Sequence, residues 1–432
     1  PEQTACCSRP RRYFAMHYLL LRFLGLGYWH HPDEGDTRNF PGVYLYYAIL
    51  TELVWVAGFV GLETVDPFVG EKDLDRFMFS LSFVITHNLT LIKLYIFFFK
   101  NKEIQEIVHI LEIDLQMFYQ NNERNRRTVK VTRILTGAFL FFGWITIGNS
   151  NVYGIIQDIR WKADFPLYND TERPPRTLPQ PIYIPWAYQT DKSYISTFLL
   201  ESIGLLWTGH IVMTIDTFIG SVILHMSNQF AILQEALVTV YDRTRMKLAQ
   251  GAGNAVADFD LRMNKEDFEK ALNIALMDCI RQHQLLISCV EKFAKTYSYG
   301  FMTQLLSSMA AICVVMVQVS QDASSFKSIR LVTSLAFFAA MIIQLAIQCF
   351  TANELTYQAS LVSESVMQCK WERMPPRLRP LLIMIMMRTQ RPLRLTAAGF
   401  ANMDNNCFLA VSIEQYTLKE CVISNPELFV GA

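Results

Sequence analysis

Few side chains in this chain are placed to do chemistry: an adjacent histidine pair, His30 and His31, and four ionisable groups in apolar surroundings, Glu52, Lys93, Glu201 and Asp216. Neighbouring histidines without further ligands make a poor metal site. No HExxH, GxSxG, Walker A or GxGxxG pattern occurs, so hydrolase and nucleotide-binding chemistry lack their usual machinery. The nine cysteines include no CxxC pair, which removes zinc-ribbon and redox readings, and Cys313 and Cys349 read as small apolar packers. Lys plus Arg equal Asp plus Glu at 39 each, without the basic excess of a nucleic-acid binder. The sequence points away from an enzyme and requires no cofactor.

The four buried-looking charges matter because of where they lie. An ionised carboxylate at membrane depth is costly unless paired or hydrated, and Asp216 falls well inside an apolar block, so a hydrogen bond to a neighbouring helix is expected. Glu52 poses the same question, while Glu201 lies near the end of its block and is expected to reach the interface. Lys93 is expected to snorkel to the headgroups.

The elements that must carry these residues are helical spans. Residues 134–156, 298–320 and 331–353 each run 23 positions without Asp, Glu, Lys or Arg. At about 1.5 Å per residue each exceeds a hydrocarbon core of roughly 30 Å. Blocks 43–62, 77–99 and 196–224 are nearly as apolar, which gives six spans. A seventh is expected over residues 396–413, where Asn402, Asp404, Asn405 and Asn406 make the segment polar enough to require a watery or protein-lined setting. The expected fold class is all-α, a polytopic membrane protein with seven transmembrane helices.

Charge between the spans sets the orientation. With the amino terminus inside, the inner segments hold 27 Lys or Arg and the outer ones 9, a positive-inside pattern. Asn169-Asp170-Thr171, a glycosylation acceptor, then falls outside, whereas Asn88-Leu89-Thr90 is locked in a span. Residues 13–29, apolar and aromatic but carrying Arg22, read as an interfacial amphipathic helix in a cytoplasmic segment 1–40 and not as a signal peptide. Spans one to four occupy 41–224 with a Pro-rich outer lid at 157–195, a cytoplasmic helical segment follows at 225–295, and spans five and six fill 296–353. Segment 354–395 returns through the cytoplasm to the start of the seventh helix, and 396–432 hold the rest of that helix and a divergent C-terminal tail. Phe268, Leu272, Ala275, Leu276, Cys279, His283, Leu286, Val290 and Phe293 recur at helical spacing and make a stripe that must be buried. The GAGNAVADFD run at 251–260 reads as a flexible turn.

Aromatic residues gather toward the outer halves of the spans. Phe77, Phe79 and Phe83 open the second span, Trp144 and Tyr153 lie on the third, Phe198 and Trp207 on the fourth, and Phe337 and Phe338 on the sixth. Such residues are candidates to wall a small apolar cavity, with His87, Asn149, Ser150 or Asn151 supplying the polar contacts that orient a ligand.

The inner and C-terminal segments resemble the insect odorant receptors. The resemblance rests on IDTFIGSVILHMSNQFAILQEAL at 215–237 and on CIRQHQLLISCVEKFAKTYSYGFMTQLLSSMAAIC at 279–313 with its Ile280 and His283. It also rests on the C-terminal set of Glu364-Ser365, Trp371, Pro375 or Pro376, RTQRPLRLTAAGF at 388–400 and Phe408. Together these cover about half the chain. The resemblance implies seven spans with the amino terminus inside and a tetrameric ligand-gated cation channel. In such a channel an odour-specific subunit joins a shared co-receptor at the plasma membrane of olfactory neurons. It further implies a volatile organic ligand among the outer halves of spans two to six, a cytoplasmic intersubunit anchor, and a pore lined by the last span, with Asn402, Asp404, Asn405 and Phe408 as candidates. After Phe408 the chain departs from the family's Ser/Tyr/Phe-rich end. A G-protein-coupled or gustatory-type chemoreceptor is the alternative, and against the former stand the inside amino terminus and the absence of DRY and NPxxY motifs.

Overall fold

A computed structural model describes residues 12–27, 42–69, 74–163, 176–251, 265–324 and 328–412. The histidine pair at 30–31, Asn169, most of the 251–260 turn and the tail beyond 412 lie outside these residues. The first span is built from α2 (Gly42–Thr51), a π-helical stretch (Glu52–Gly58) and α3 (Phe59–Val69); α4 (Leu74–Phe99) and α6 (Asn122–Ala163) carry the second and third. The fourth, fifth and sixth lie in α7 (Asp191–Val238), α9 (Lys265–Ser324) and α10 (Ser328–Gln368), while α5 (Asn101–Glu112) and α8 (Val240–Gly251) connect them. Six of these helical stretches are long and apolar enough to cross a membrane.

Helix length decides the shape. At about 1.5 Å per residue, the 60 residues of α9 extend roughly three times the thickness of a hydrocarbon core, so much of the helix must stand outside the bilayer. The stripe from Phe268 to Phe293 lies on that projecting part. Phe268, Leu272, Leu276, Leu286, Val290 and Phe293 are all buried, and share one core with Phe230 and Leu237 of α7 and with Leu355 and Val362 of α10. A second copy of the chain is not needed to cover the stripe.

The amino-terminal helix α1 (Ala15–Phe23) turns His17 and Leu21 into the bundle, together with the residues before it, while Leu19 and Phe23 stay exposed on its other face. The Phe14 N–H donates to Glu112 Oε1 and the Tyr18 hydroxyl to Oε2, each at 3.1 Å, while Tyr13 stacks on His225 at 4.8 Å. These contacts of Tyr13, Phe14 and Tyr18 fix the amino-terminal segment against α5 and α7, with Phe14 fully buried. Burial raises the Glu112 carboxyl from its ordinary 4.5 to about 7, and lowers His17 to about 4. Because the folded value of Glu112 lies above the unfolded one, its contribution is full below about 4.5 and is lost as pH rises through about 7. His17 stays neutral between pH 6.5 and 8, so protease cleavage at α1 is expected to accelerate over that window, and Glu112→Gln to flatten the change.

The polar segment after α11 (Arg379–Thr389) is not a continuous helix. Thr396–Ala397 pairs antiparallel with Ala401–Asn402, and the connection uses Ala398 and Gly399 at φ of 49° and 79°. Helix resumes at residues 405–412. The expected seventh span from 396 is therefore corrected: within the described residues its helix begins only at 405, because the left-handed pair turns the chain first.

Candidate functional site

The core of the bundle holds a cavity of about 80 Å³. Phe83, Thr86 and His87 come from α4, Phe139, Gly143, Thr146 and Ile147 from α6, Leu205, Gly209 and Met213 from α7, and Phe337, Met341 and Gln344 from α10. Helical spacing explains the set: Phe83 and His87 stand four apart, as do Phe139 and Gly143, Gly209 and Met213, and Phe337 and Met341, so each helix turns one stripe inward. Glycine at 143 lets Met213 approach so closely that a Cβ there would collide with its Sδ.

Aromatic contacts form one side of the cavity. Phe83 lies 4.7 Å from Phe337 between ring centroids, and Phe79 meets Phe83 edge-on at 5.2 Å from behind. His87, 6.0 Å from Phe83, holds its Nδ1 2.6 Å from Glu63 Oε2. At the opposite end, Gln344 donates to Asp216 Oδ2, Lys93 Nζ donates to Oδ1 at 2.6 Å, and Gln348 donates to the same oxygen at 3.3 Å. Lys93 is buried, and its partner is 123 positions away. The snorkelling expectation is overturned: a carboxylate within reach is a better partner than a headgroup that Lys93 would have to cross lipid to meet. Asp216 does bond neighbouring helices.

Glu201 is likewise not at the interface. It is fully buried, and its Oε1 accepts the backbone N–H of Gln180 at 2.6 Å, tying the outer lid to α7. Glu52 opens the π-helical stretch, and neither of its carboxylate oxygens has a hydrogen-bond partner among the described residues.

Of the aromatic and polar candidates, the structure brings Phe83, His87 and Phe337 together on the cavity, with Phe79 one shell behind. Trp144 faces away from it, 55% exposed on the outer surface of α6, where its Nε1 donates to His210 Nε2 at 2.8 Å. Asn149 and Tyr153 are half-buried farther along α6, Phe198 packs near Tyr194 at 6.1 Å, and Trp207 lies 5.6 Å from Phe23. None of these five lines the cavity. Of the pore candidates, Asn402 sits in the hairpin, Asp404 caps the next helix by accepting the Cys407 N–H at 2.8 Å, Asn405 is exposed, and Phe408 meets Phe350 at 5.0 Å. Sequence reading passed over Glu63, Gly143, Gln344 and Gln348. The Gln344 and Gln348 pair, four apart in a charge-free span, was the available signal.

Fold and cavity together define a class: an all-helical, multi-pass membrane protein with a small site among its spans. Residues 73–412 match the family model described as 7tm Odorant receptor. Odorant receptor 82a of Drosophila melanogaster is 20% identical over 420 residues, covering 93% of this chain and 97% of that protein. Odorant receptor 59b of the same fly is 22% identical over 277 residues, 64% of this chain. The match spans 60% of the length of odorant receptor 59b and 49% of that of putative odorant receptor 85d. Among solved structures, the insect olfactory receptor OR5 of Machilis hrabei in complex with eugenol superposes with a TM-score of 0.70 at 12% identity, over 96% of this chain and 98% of that one. The chain belongs to the seven-transmembrane odorant receptor family, a family of receptors and not of enzymes.

Proposed function

We propose that the chain is the odorant-tuning subunit of a heteromeric, ligand-gated, poorly selective cation channel. It joins a shared co-receptor in the plasma membrane and opens when a small volatile organic compound enters the cavity between α4, α6, α7 and α10. The observation that carries this reading is the pairing of the family match with a mostly apolar site among the helices whose few polar groups converge from two ends. The fold neighbour's ligand, eugenol, is itself a small aromatic volatile.

A ligand opens a channel only by binding the open state better than the closed one. α10 is the element able to connect the two, since it carries Gln344 at the cavity and Phe350 against Phe408. The helix that starts at residue 405 supplies the pore lining, with Asn405 and Phe408 on it and Asn402 and Asp404 in the preceding turn.

The test is a pair of alanine substitutions in cells that also express the co-receptor. Phe83→Ala is expected to shift the half-maximal concentration of agonists by about tenfold or more, the loss of one aromatic contact from a buried ligand. Trp144→Ala, on the outward face, is expected to leave it within about twofold. Equal effects, or a larger one at Trp144, would remove the cavity from the account.

A further inference from the structure

Behind one end of the cavity, next to its lining residues His87 and Gln180, lies a cluster of buried carboxyl groups. Glu63, Asp66 and Glu201 are each at most 2% exposed, and Glu63 and Asp66 lie within electrostatic reach of Glu201. Their donors are few: His87 Nδ1 faces Glu63 Oε2 at 2.6 Å, Arg76 Nη2 donates to Asp66 Oδ1 at 2.9 Å, and the Gln180 backbone N–H serves Glu201 Oε1. Among the described residues two buried acceptors remain without a partner, Glu63 Oε1 and Gln180 Oε1, and Glu201 Oε2 and Arg76 Nε are unpartnered as well. Buried polar atoms are nearly always bonded, so an unpaired acceptor on the cavity wall with a second one behind it is a chemical signature. His87 and Gln180 both line the cavity, and Gln180 is 3% exposed.

We propose that this cavity selects volatiles bearing an N–H or O–H donor, small primary amines and alcohols, over ethers of the same size. The inference rests on the reading that a volatile ligand acts from this cavity, and it names that ligand's class. The alkyl or aryl part of the ligand lies against Phe83, Phe337 and Met341, and its donor meets Gln180 Oε1 on the wall, with Glu63 Oε1 behind it. A donor-free isomer buries the same apolar surface but leaves the acceptors unpaired, a penalty that corresponds to about 10- to 100-fold in effective concentration.

The experiment records currents from the full chain with its co-receptor and compares isomers, hexan-1-ol against methyl pentyl ether and benzyl alcohol against anisole, with hexylamine and benzylamine alongside. In at least one carbon skeleton, the alcohol or the amine is expected to act at a concentration about tenfold or more below the ether. Gln180→Leu and Glu63→Gln, each checked for surface delivery, are expected to close that gap by weakening the donor ligands about tenfold more than the ethers. A purely structural role would move all ligands together. Ethers that match or outperform their donor-bearing partners in the unmodified protein would overturn the inference while leaving the ligand-gated reading intact, as would a gap that survives in delivered variants. If neither variant reaches the surface, the comparison in the unmodified protein decides. Silence to all six compounds would overturn this inference, while the ligand-gated reading stands or falls on recordings with other volatiles.

Discussion

Lys93→Met is expected to deplete the folded, surface-delivered protein more severely than any other single change considered. The substitution keeps the length of the side chain but leaves the Asp216 carboxylate buried among α4, α7 and α10 with only the amides of Gln344 and Gln348 to face it. Removing one member of a buried ion pair typically costs about 3–5 kcal/mol, most of it the penalty of the stranded charge. That is a large share of the roughly 5–15 kcal/mol by which folded proteins outlast their unfolded states. The origin of the loss is separable from simple packing. In the double variant Lys93→Met with Asp216→Leu no charge is stranded, so its stability is expected to recover most of the deficit, a coupling that a double-mutant cycle reads directly. Thermal survival of detergent-solubilised protein, followed by size exclusion, checks both variants. A double variant no better than the single one would show that Lys93 contributes packing and not charge.

Gly143→Leu is expected to have the largest effect on ligand response with the least on delivery. Even a Cβ at 143 collides with the Met213 thioether, and the flexible Met213 chain yields by swinging into the cavity. A full leucine then occupies most of the 80 Å³. Excluding a ligand from that volume removes roughly 2 kcal/mol of apolar burial, so half-maximal concentrations are expected to rise about 30-fold. Gly143→Ala, which adds one methyl group, should discriminate by size and weaken larger volatiles first. Dose-response series in cells with the co-receptor measure both, and an unchanged response to Gly143→Leu at normal surface density would place the ligand elsewhere.

What could be read in advance and what could not follow from the range over which each signal acts. The spans were legible because a run of 23 positions without a charge is a local property. The stripe from Phe268 to Phe293 was legible for the same reason, since helical periodicity declares a buried face without naming its partner. Lys93 was misjudged because its partner is 123 positions away, and nothing within one helix distinguishes a snorkelling lysine from a paired one. Glu63 was counted with an outer connection, although α3 continues past it to Val69 and turns it into the bundle. In the polar stretch before residue 405, composition suggested a water-facing helix. The turn was written instead in Ala398 and Gly399, whose left-handed backbone no count of polar residues reveals. The aromatic candidates divide along the helix face: Phe83 and Phe337 point inward, while Trp144 stands one position past Gly143, about 100° around the helix, and faces out.

The central claim is that a volatile compound, bound within the helical bundle, opens an ion-conducting path in the same assembly. Excised membrane patches carrying the chain and its co-receptor test it most directly, in solutions free of GTP, ATP and cyclic nucleotides. The account predicts that an active volatile applied to such a patch evokes discrete cation currents at once, and that Gly143→Leu moves them to higher concentration. Currents that vanish when nucleotides are withdrawn, or that appear only in intact cells, would contradict it.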